Sequence, residues 1–238
     1  MLELKSISKN FKNKTILDQL SLELPREKTV FVLGRSGVGK SVLLKIIVGL
    51  ILQDSGEVWV NGERTTPDDD NRMVHFRKQC GLVFQMPALL DSMTIQENLQ
   101  FGLEKNGAEE FATGLDWVRL SKSVLQKYPS ELSFGAQKKV SVLRTLLRAP
   151  EFILFDEPTT GLDPVATEVT NKMIRNVVRE RKTGCLVVSH DVKSALELAD
   201  TILLLDAGKV VFKGGPGEFL KSELPLVRAF CAGTVTHA

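Results

Sequence analysis

Gly34-Arg35-Ser36-Gly37-Val38-Gly39-Lys40-Ser41 (GRSGVGKS) is the stretch on which the reading of this chain turns. It fits the pattern G-x-x-x-x-G-K-[ST], a phosphate-binding loop. The apolar run Thr29-Val30-Phe31-Val32-Leu33 precedes it and predicts a buried strand. Ser41-Val42-Leu43-Leu44-Lys45-Ile46-Ile47 follows and predicts the start of a helix. Gly34, Gly37 and Gly39 carry no Cβ, so the backbone can wrap closely round an anion and aim its N–H groups at it. The helix N-terminus adds a positive partial charge. Lys40 supplies a point charge for β- and γ-phosphates, and Ser41 a hydroxyl for Mg²⁺. A glycine-rich turn without a ligand is the bland alternative; the full pattern between strand and helix argues against it. The loop implies a nucleotide and leaves open which one, and what its energy drives.

With 238 residues the chain accommodates one large α/β domain, or one domain with a small lobe. The formal net charge is +2, with no basic tail and no long charge run, which argues against nucleic acid as the main partner. Cys80, Cys185 and Cys231 are far apart and odd in number. They show neither metal-ligand spacing nor a disulfide framework, so a reducing compartment fits and three inert thiols is the plain reading. The N-terminus lacks an apolar core of signal-peptide length. The longest apolar stretch, Val42 to Leu52, is broken by Lys45 and too short to span a bilayer. The expectation is a soluble chain that works at a membrane only through a separate membrane subunit.

Alternation predicts strands over Leu2–Ile7 and Leu20–Leu24, with Phe11 between them. From spacing alone Phe11 reads as core. A strand over Gly56–Val60 runs into the Asn61-Gly62 turn. Thr66–Asn71 reads as an acidic loop at a helix start, in preference to a metal site. A helix over Asn71–Gln79 and a strand over Gly81–Phe84 follow, the latter ending in Gln85. Thr94-Ile95-Gln96-Glu97 has the capping-box pattern. Glu104 to Gln126 reads as mostly helical, broken at Gly107 and Gly114. Pro129 to Ser133 interrupts structure before an amphipathic helix from Phe134 to Arg148, with Ser133 as N-cap. Glu151–Phe155 predicts a buried strand ending in Asp156-Glu157-Pro158. Pro164 opens a helix to about Arg181. Cys185–Val188 is a further buried strand, ending in Ser189-His190-Asp191, with a helix to about Ala199. Strands over Thr201–Leu205 and Lys209–Phe212 flank the Ala207-Gly208 turn, and a short helix and tail close the chain. Strands alternating with helices predict a largely parallel sheet covered on both faces.

An apolar strand ending in two acids is the expected partner of a phosphate loop. Asp156 would hold Mg²⁺, directly or through water. Glu157, one residue on, is placed to polarise an attacking water.

With Leu132-Ser133-Phe134-Gly135-Ala136, Asp156-Glu157, TTGLDP over 159–164 and His190, the chain resembles an ABC-type ATPase subunit along residues 2 to 220. The resemblance implies a P-loop NTPase of ABC type: α/β, with a mainly parallel central sheet, an antiparallel β subdomain and a helical subdomain at about 86–148. It implies one ATPase domain over 1–223 and a C-terminal tail over 224–238. It implies ATP and Mg²⁺ as cofactors. Gly34, Arg35, Ser36, Gly37, Val38, Gly39, Lys40, Ser41 and Val42 would bind ATP, and Phe11 would stack on adenine. Gln85 matches the glutamine that senses Mg²⁺ and water beside the membrane subunit. His190 matches the histidine that contacts the γ-phosphate, and Asp163 the aspartate that communicates across the dimer. The implied mechanism is a head-to-tail homodimer in which each ATP meets one subunit's phosphate loop and the other's Ser133, Phe134, Gly135 and Ala136. One departure stands out: the family's L-S-G-G-Q/M becomes Leu132-Ser133-Phe134-Gly135-Ala136 here. The expectation is retained but slow hydrolysis, or a Phe134 that only packs at the cleft rim.

Three stretches are similar to the ATPase of Mla/Mce-type phospholipid transporters of diderm bacteria and plastids. These are VFQMPALLDSMTIQENL over 83–99, the Pro-Ser-Glu-Leu-Ser lead with Lys138-Lys139 over 129–148, and Leu224-Pro225-Leu226-Val227-Arg228-Ala229-Phe230. Ala136 departs from that branch, which carries Met there. The similarity implies a membrane permease dimer, an Mce-domain lipid-binding ring, a small accessory protein, and a location on the cytoplasmic face of the inner membrane. It also implies a tail that contacts the partner ATPase. Three other readings stand beside it: an ATPase for a small-solute importer, a soluble ABC ATPase acting on nucleic acid or ribosomes, and a binding-only regulatory subunit. One ATPase unit with no heptads speaks against the second; intact Lys40, Asp156, Glu157 and His190 speak against the third.

Overall fold

The computed structural model describes residues 1–65, 70–101, 103 and 108–233. In chain order these form β1 (Leu2–Phe11), β2 (Lys14–Leu24), β3 (Thr29–Gly34), α1 (Lys40–Ile47), β4 (Ser55–Val60), β5 (Glu63–Arg64), α2 (Asp70–Gln79) and β6 (Cys80–Val83). There follow α3 (Ile95–Gln100), α4 (Ala108–Trp117), α5 (Phe134–Leu146), β7 (Phe152–Asp156), α6 (Pro164–Arg181) and β8 (Gly184–Ser189). The chain closes with α7 (Val192–Leu198), β9 (Thr201–Asp206), β10 (Lys209–Gly214), α8 (Pro216–Lys221) and α9 (Pro225–Cys231).

Among the described residues the strands form two sheets. The central one runs β10-β9-β3-β8-β7-β6, and the smaller one β2-β1-β4-β5. Every pairing in the central sheet is parallel except β10 on β9, which turns back at Ala207-Gly208. The smaller sheet is antiparallel throughout. Period-two alternation divides the core between the faces of the central sheet. Val30 and Val32 of β3 join a cluster with Leu43, Leu44 and Ile47 of α1 and with Leu2, Leu4 and Leu22 of the smaller sheet. Phe31 and Leu33 join the opposite cluster, with Ile95, Phe111, Val140, Leu143 and Ile174. Continuous apolar runs such as TVFVLG and GCLVVS are what a strand covered on both faces requires.

Several expectations are corrected in detail. β1 and β2 extend into one long hairpin, with Phe11 paired to Lys14 at its end. Register shifts after Leu4 and Ile7 break the alternation while pairing continues, so the pattern stops before the strand does. Gly114 lies inside α4 and does not break it. A Cβ there would come within 2.6 Å of Leu143 Cδ1, so this glycine serves a close helix–helix approach. α5 ends at Leu146, short of Arg148. The downstream Pro150 and the left-handed Ala149 (φ 48°) turn the chain there. Residues 66–69 of the acidic loop, Gly107, and the tail residues 234–238 lie outside the described residues. α9 is packed into the main cluster through Val227 and Phe230, 1% and 6% exposed, so no break in packing separates 224–231 from the body.

Candidate active site

Strand register alone brings the charged residues together. Leu33 pairs with Ser189, Val188 with Asp156, and Phe155 with Val83. β3, β8, β7 and β6 therefore end level, at the carboxyl edge of the sheet where α/β folds bind ligands. From β3 comes the loop 34–39; from β8, His190; from β7, Asp156 and Glu157; from β6, Gln85. They meet at an open cleft of about 320 Å³ lined by Ser36, Gly37, Lys40, Gln85, Glu157 and His190, among others.

The loop owes its shape to two tight positions. Gly39, the N-cap of α1, has φ 114°, and a Cβ there would lie 2.9 Å from Ile16 Cγ2 and 3.0 Å from the Ile16 carbonyl. At Gly34 a Cβ would lie 2.8 Å from the Leu205 carbonyl. The loop is thus clamped between β2 and β9, and Gly39 to Val42 at the start of α1 line the cleft. Lys40 folds back beneath it: Nζ donates to the carbonyls of Gly34 (2.7 Å) and Arg35 (3.0 Å). It also lies 3.2 Å from Glu157 Oε1. Ser41 Oγ donates to Asp156 Oδ1 at 2.9 Å.

Glu157 is the most constrained residue of the cleft. Its backbone is left-handed (φ 48°), a conformation that costs a non-glycine residue roughly 1–3 kcal/mol. Its Oε2 accepts from Thr160 Oγ1 (3.1 Å) and Ser189 Oγ (3.2 Å), and lies 2.9 Å from His190 Nδ1. Burial alone would raise its pKa, but the His190 hydrogen bond and the Lys40 charge outweigh burial and hold the carboxyl at about 2. The reciprocal effect raises His190: its hydrogen bond to Glu157 favours the imidazolium more than burial opposes it. At Asp156 burial wins, and its pKa lies above the usual carboxylate range despite the bond from Ser41.

The other expected residues lie elsewhere. Ser133 caps α5, its Oγ accepting from the Ala136 N–H at 3.4 Å. Asp163 caps α6, its Oδ1 accepting from the Ala166 N–H at 2.8 Å. Neither these, nor Phe134, Gly135 and Ala136, line the cleft. The Phe134 ring sits against Lys138 Nζ, 5.1 Å from its centroid, and beside Gly161. Phe11 lies at the hairpin end, 44% exposed, with Lys9 Nζ 5.3 Å from its ring centroid. On the β2 side the cleft wall is Ile16, which sequence reasoning passed over because it is one apolar residue in a strand. Thr160 and Ser189 were also missed as partners of Glu157. Thr160 lies in TTGLDP and Ser189 ends β8, but only the fold aims their hydroxyls at one carboxylate.

A Ser hydroxyl and a carboxylate side by side supply the hard oxygen donors that Mg²⁺ takes, completed in such sites by substrate phosphates. Among the described residues no group of three acidic, His or Cys side chains forms a metal cage.

The family model described as ABC transporter matches residues 17–160. The chain is 36% identical to Protein TRIGALACTOSYLDIACYLGLYCEROL 3, chloroplastic, of Arabidopsis thaliana, over 99% of this chain and 74% of that protein. It is 31% identical to the intermembrane phospholipid transport system ATP-binding protein MlaF of Escherichia coli, over 98% and 89%. It is 34% identical to the osmoprotectant import ATP-binding protein OsmV of Salmonella typhimurium, over 92% and 60%. Among solved structures, a dimeric post-hydrolysis state of the ATP-binding cassette MJ0796, bound to ADP and Pi, superposes with a TM-score of 0.82. It is 29% identical, over 91% of this chain and 99% of that one.

Proposed function

The chain belongs to the ABC transporter family as an ATP-binding and ATP-hydrolysing subunit, and from that premise we propose its residue roles, its assembly and its cargo. The triphosphate lies on the loop from Gly34 to Val42, with Lys40 paired to the β- and γ-phosphates. Ser41, Asp156 and Gln85 would hold Mg²⁺, which would supply neutralisation of the charge developing on the phosphoryl oxygens. Glu157 takes the proton of the attacking water. His190, held against Glu157, contacts the γ-phosphate. A phosphate draws Lys40 away from Glu157 and so removes one of the charges that keep this carboxyl acidic. The base strengthens as the substrate arrives.

The assembly we infer is a head-to-tail homodimer. In it the N-terminus of α5, with Ser133 and Gly135, meets the partner's γ-phosphate, and Asp163 carries communication between the sites. Phe11 stacks on adenine. Closure on ATP and opening after hydrolysis move a membrane permease at the cytoplasmic face of the inner membrane. Among the described residues no helix is long and apolar enough to cross a membrane.

The cargo we propose is phospholipid, with an Mce-domain protein and a small accessory subunit as further partners. The observation that carries this is the similarity to MlaF along 98% of the chain. The second reading, a small-solute importer, is favoured by the comparable identity to OsmV. Affinity purification from detergent-solubilised membranes, with mass spectrometry of proteins and lipids, separates the two. A permease with an Mce-domain protein and bound phospholipid supports the first; a permease with a solute-binding protein supports the second. In the purified assembly Lys40→Ala should abolish ATP hydrolysis. Glu157→Gln should keep ATP binding and lower turnover about 100-fold or more. Parental turnover in Glu157→Gln would show that another group is the base.

A further inference from the structure

Lys138 stands one turn into α5 and is 8% exposed, yet it does not line the cleft. An ammonium taken out of water is strongly disfavoured unless it is fully engaged. Here its Nζ donates to two backbone carbonyls, Thr160 at 2.6 Å and Pro158 at 3.2 Å. The Phe134 ring covers it on a third side. Burial lowers its pKa, and the nearby negative charge of Glu157 works the other way, favouring the cation.

Both carbonyls belong to the turn that follows Glu157. This is also the turn whose Thr160 hydroxyl donates to Glu157 Oε2 at 3.1 Å. Lys138 thus grips Thr160 by its backbone while Glu157 is gripped by the same residue's side chain. The Glu157 backbone is left-handed and strained, so something must hold the turn against relaxation. The backbone bonds there are Glu157 N–H to Val188 O at 2.9 Å, which ties the start of the turn to β8, and two longer ones within it, Thr160 N–H to Glu157 O at 3.3 Å and Leu162 N–H to Thr159 O at 3.1 Å.

We propose that Lys138 is a positioning residue for hydrolysis: its ammonium pins the Pro158–Thr160 turn and so holds the Glu157 carboxylate towards the cleft. Because Lys138 lies one turn after the Ser133 cap of α5, the same lysine ties the start of that helix to the chain's own Glu157. The inference rests on the reading of Glu157 as the general base.

The test is steady-state ATP hydrolysis by the affinity-purified assembly carrying Lys138→Met, Lys138→Arg, Thr160→Ala or the Met/Ala double change, with Glu157→Gln in parallel. Lys138→Met should lower kcat about tenfold or more and leave KM for ATP within about twofold, since misplacing a reacting group costs rate more than binding. Lys138→Arg, which keeps charge and donors, should recover most of the loss. The double variant should be little slower than the slower single variant, because both changes cut one chain of contacts. Parental kcat in Lys138→Met, a rise in KM in step with the loss, no recovery by Arg, or additive losses would each overturn the proposal. If Lys138→Met does not fold, Lys138→Gln, whose shorter side chain lacks the charge and the reach to both carbonyls, should lower kcat at unchanged KM, and parental kcat there overturns the proposal. Normal turnover in Glu157→Gln would remove the base reading and this inference together. A slow Glu157→Gln beside a parental Lys138→Met would remove this inference alone.

Discussion

Glu157 carries opposing demands. It must be ionised to accept a proton, yet His190 and Lys40 hold it so firmly that its pKa is about 2 against an ordinary 4.5. A carboxyl depressed on folding stabilises the native state fully above about pH 4.5, and that contribution is lost as pH falls towards 2. His190 is raised from 6.5, so its contribution is complete below that value and is lost as pH climbs through the folded pKa. The same contact therefore weakens at both ends, and it is strongest between about pH 4.5 and 6.5. Thermal melts of the parent and Glu157→Gln across pH 2 to 8 should show their Tm difference largest in that window and shrinking towards pH 2. A difference independent of pH would mean that the carboxylate's charge contributes nothing to stability. At this scale the sequence named Lys40, Asp156 and Glu157 from motif and strand end, and His190 only through the family resemblance. It was silent on Thr160 and Ser189, whose hydroxyls matter only through where the turn and strand deliver them.

The strand–loop–helix unit β3-loop-α1 is the element most tightly specified. The apolar runs on both sides predicted it, and the structure reproduces it because Leu43, Leu44, Ile46 and Ile47 bury one helix stripe under the sheet. The glycines differ in what enforces them. At Gly39 both a positive φ and the Ile16 backbone oppose a side chain. Inside α4, Gly114 opposes only the movable end of Leu143. Gly39→Ala should destabilise the chain by about 1–3 kcal/mol and weaken ATP binding strongly, read by denaturant melts and nucleotide titration. Gly114→Ala should be milder in stability and leave ATP affinity unchanged. Equal effects on both measurements would contradict the clamp on the loop. The long hairpin was half legible: bulges after Leu4 and Ile7 erase the alternation that a sequence can display.

For the whole molecule, α9 is the informative piece. Its sequence resembles a tail that reaches for another subunit, but Val227 and Phe230 are packed in the same cluster as Phe219 and Ile202. Phe230→Ala should cost about 3 kcal/mol in the isolated chain, visible as a lower denaturation midpoint. No loss would mean that α9 packs only within an assembly. The sequence by itself determined the fold class, the order of the strands and helices, the phosphate loop and the acids at the end of β7. These are local patterns in which periodicity, glycine and a strand-terminal carboxylate act within a few residues. The tertiary structure alone decided the sheet order β10-β9-β3-β8-β7-β6. It also decided the shared carboxyl edge, the grip of Lys138 on the turn after Glu157, and the shift of that glutamate to about 2. The physical reason is sequence separation. Asp156 lies 115 residues from Ser41, and Glu157 lies 33 from His190. Contacts of that span are set by which strands pair and which faces bury, information held by the packed molecule and by no single stretch of the chain.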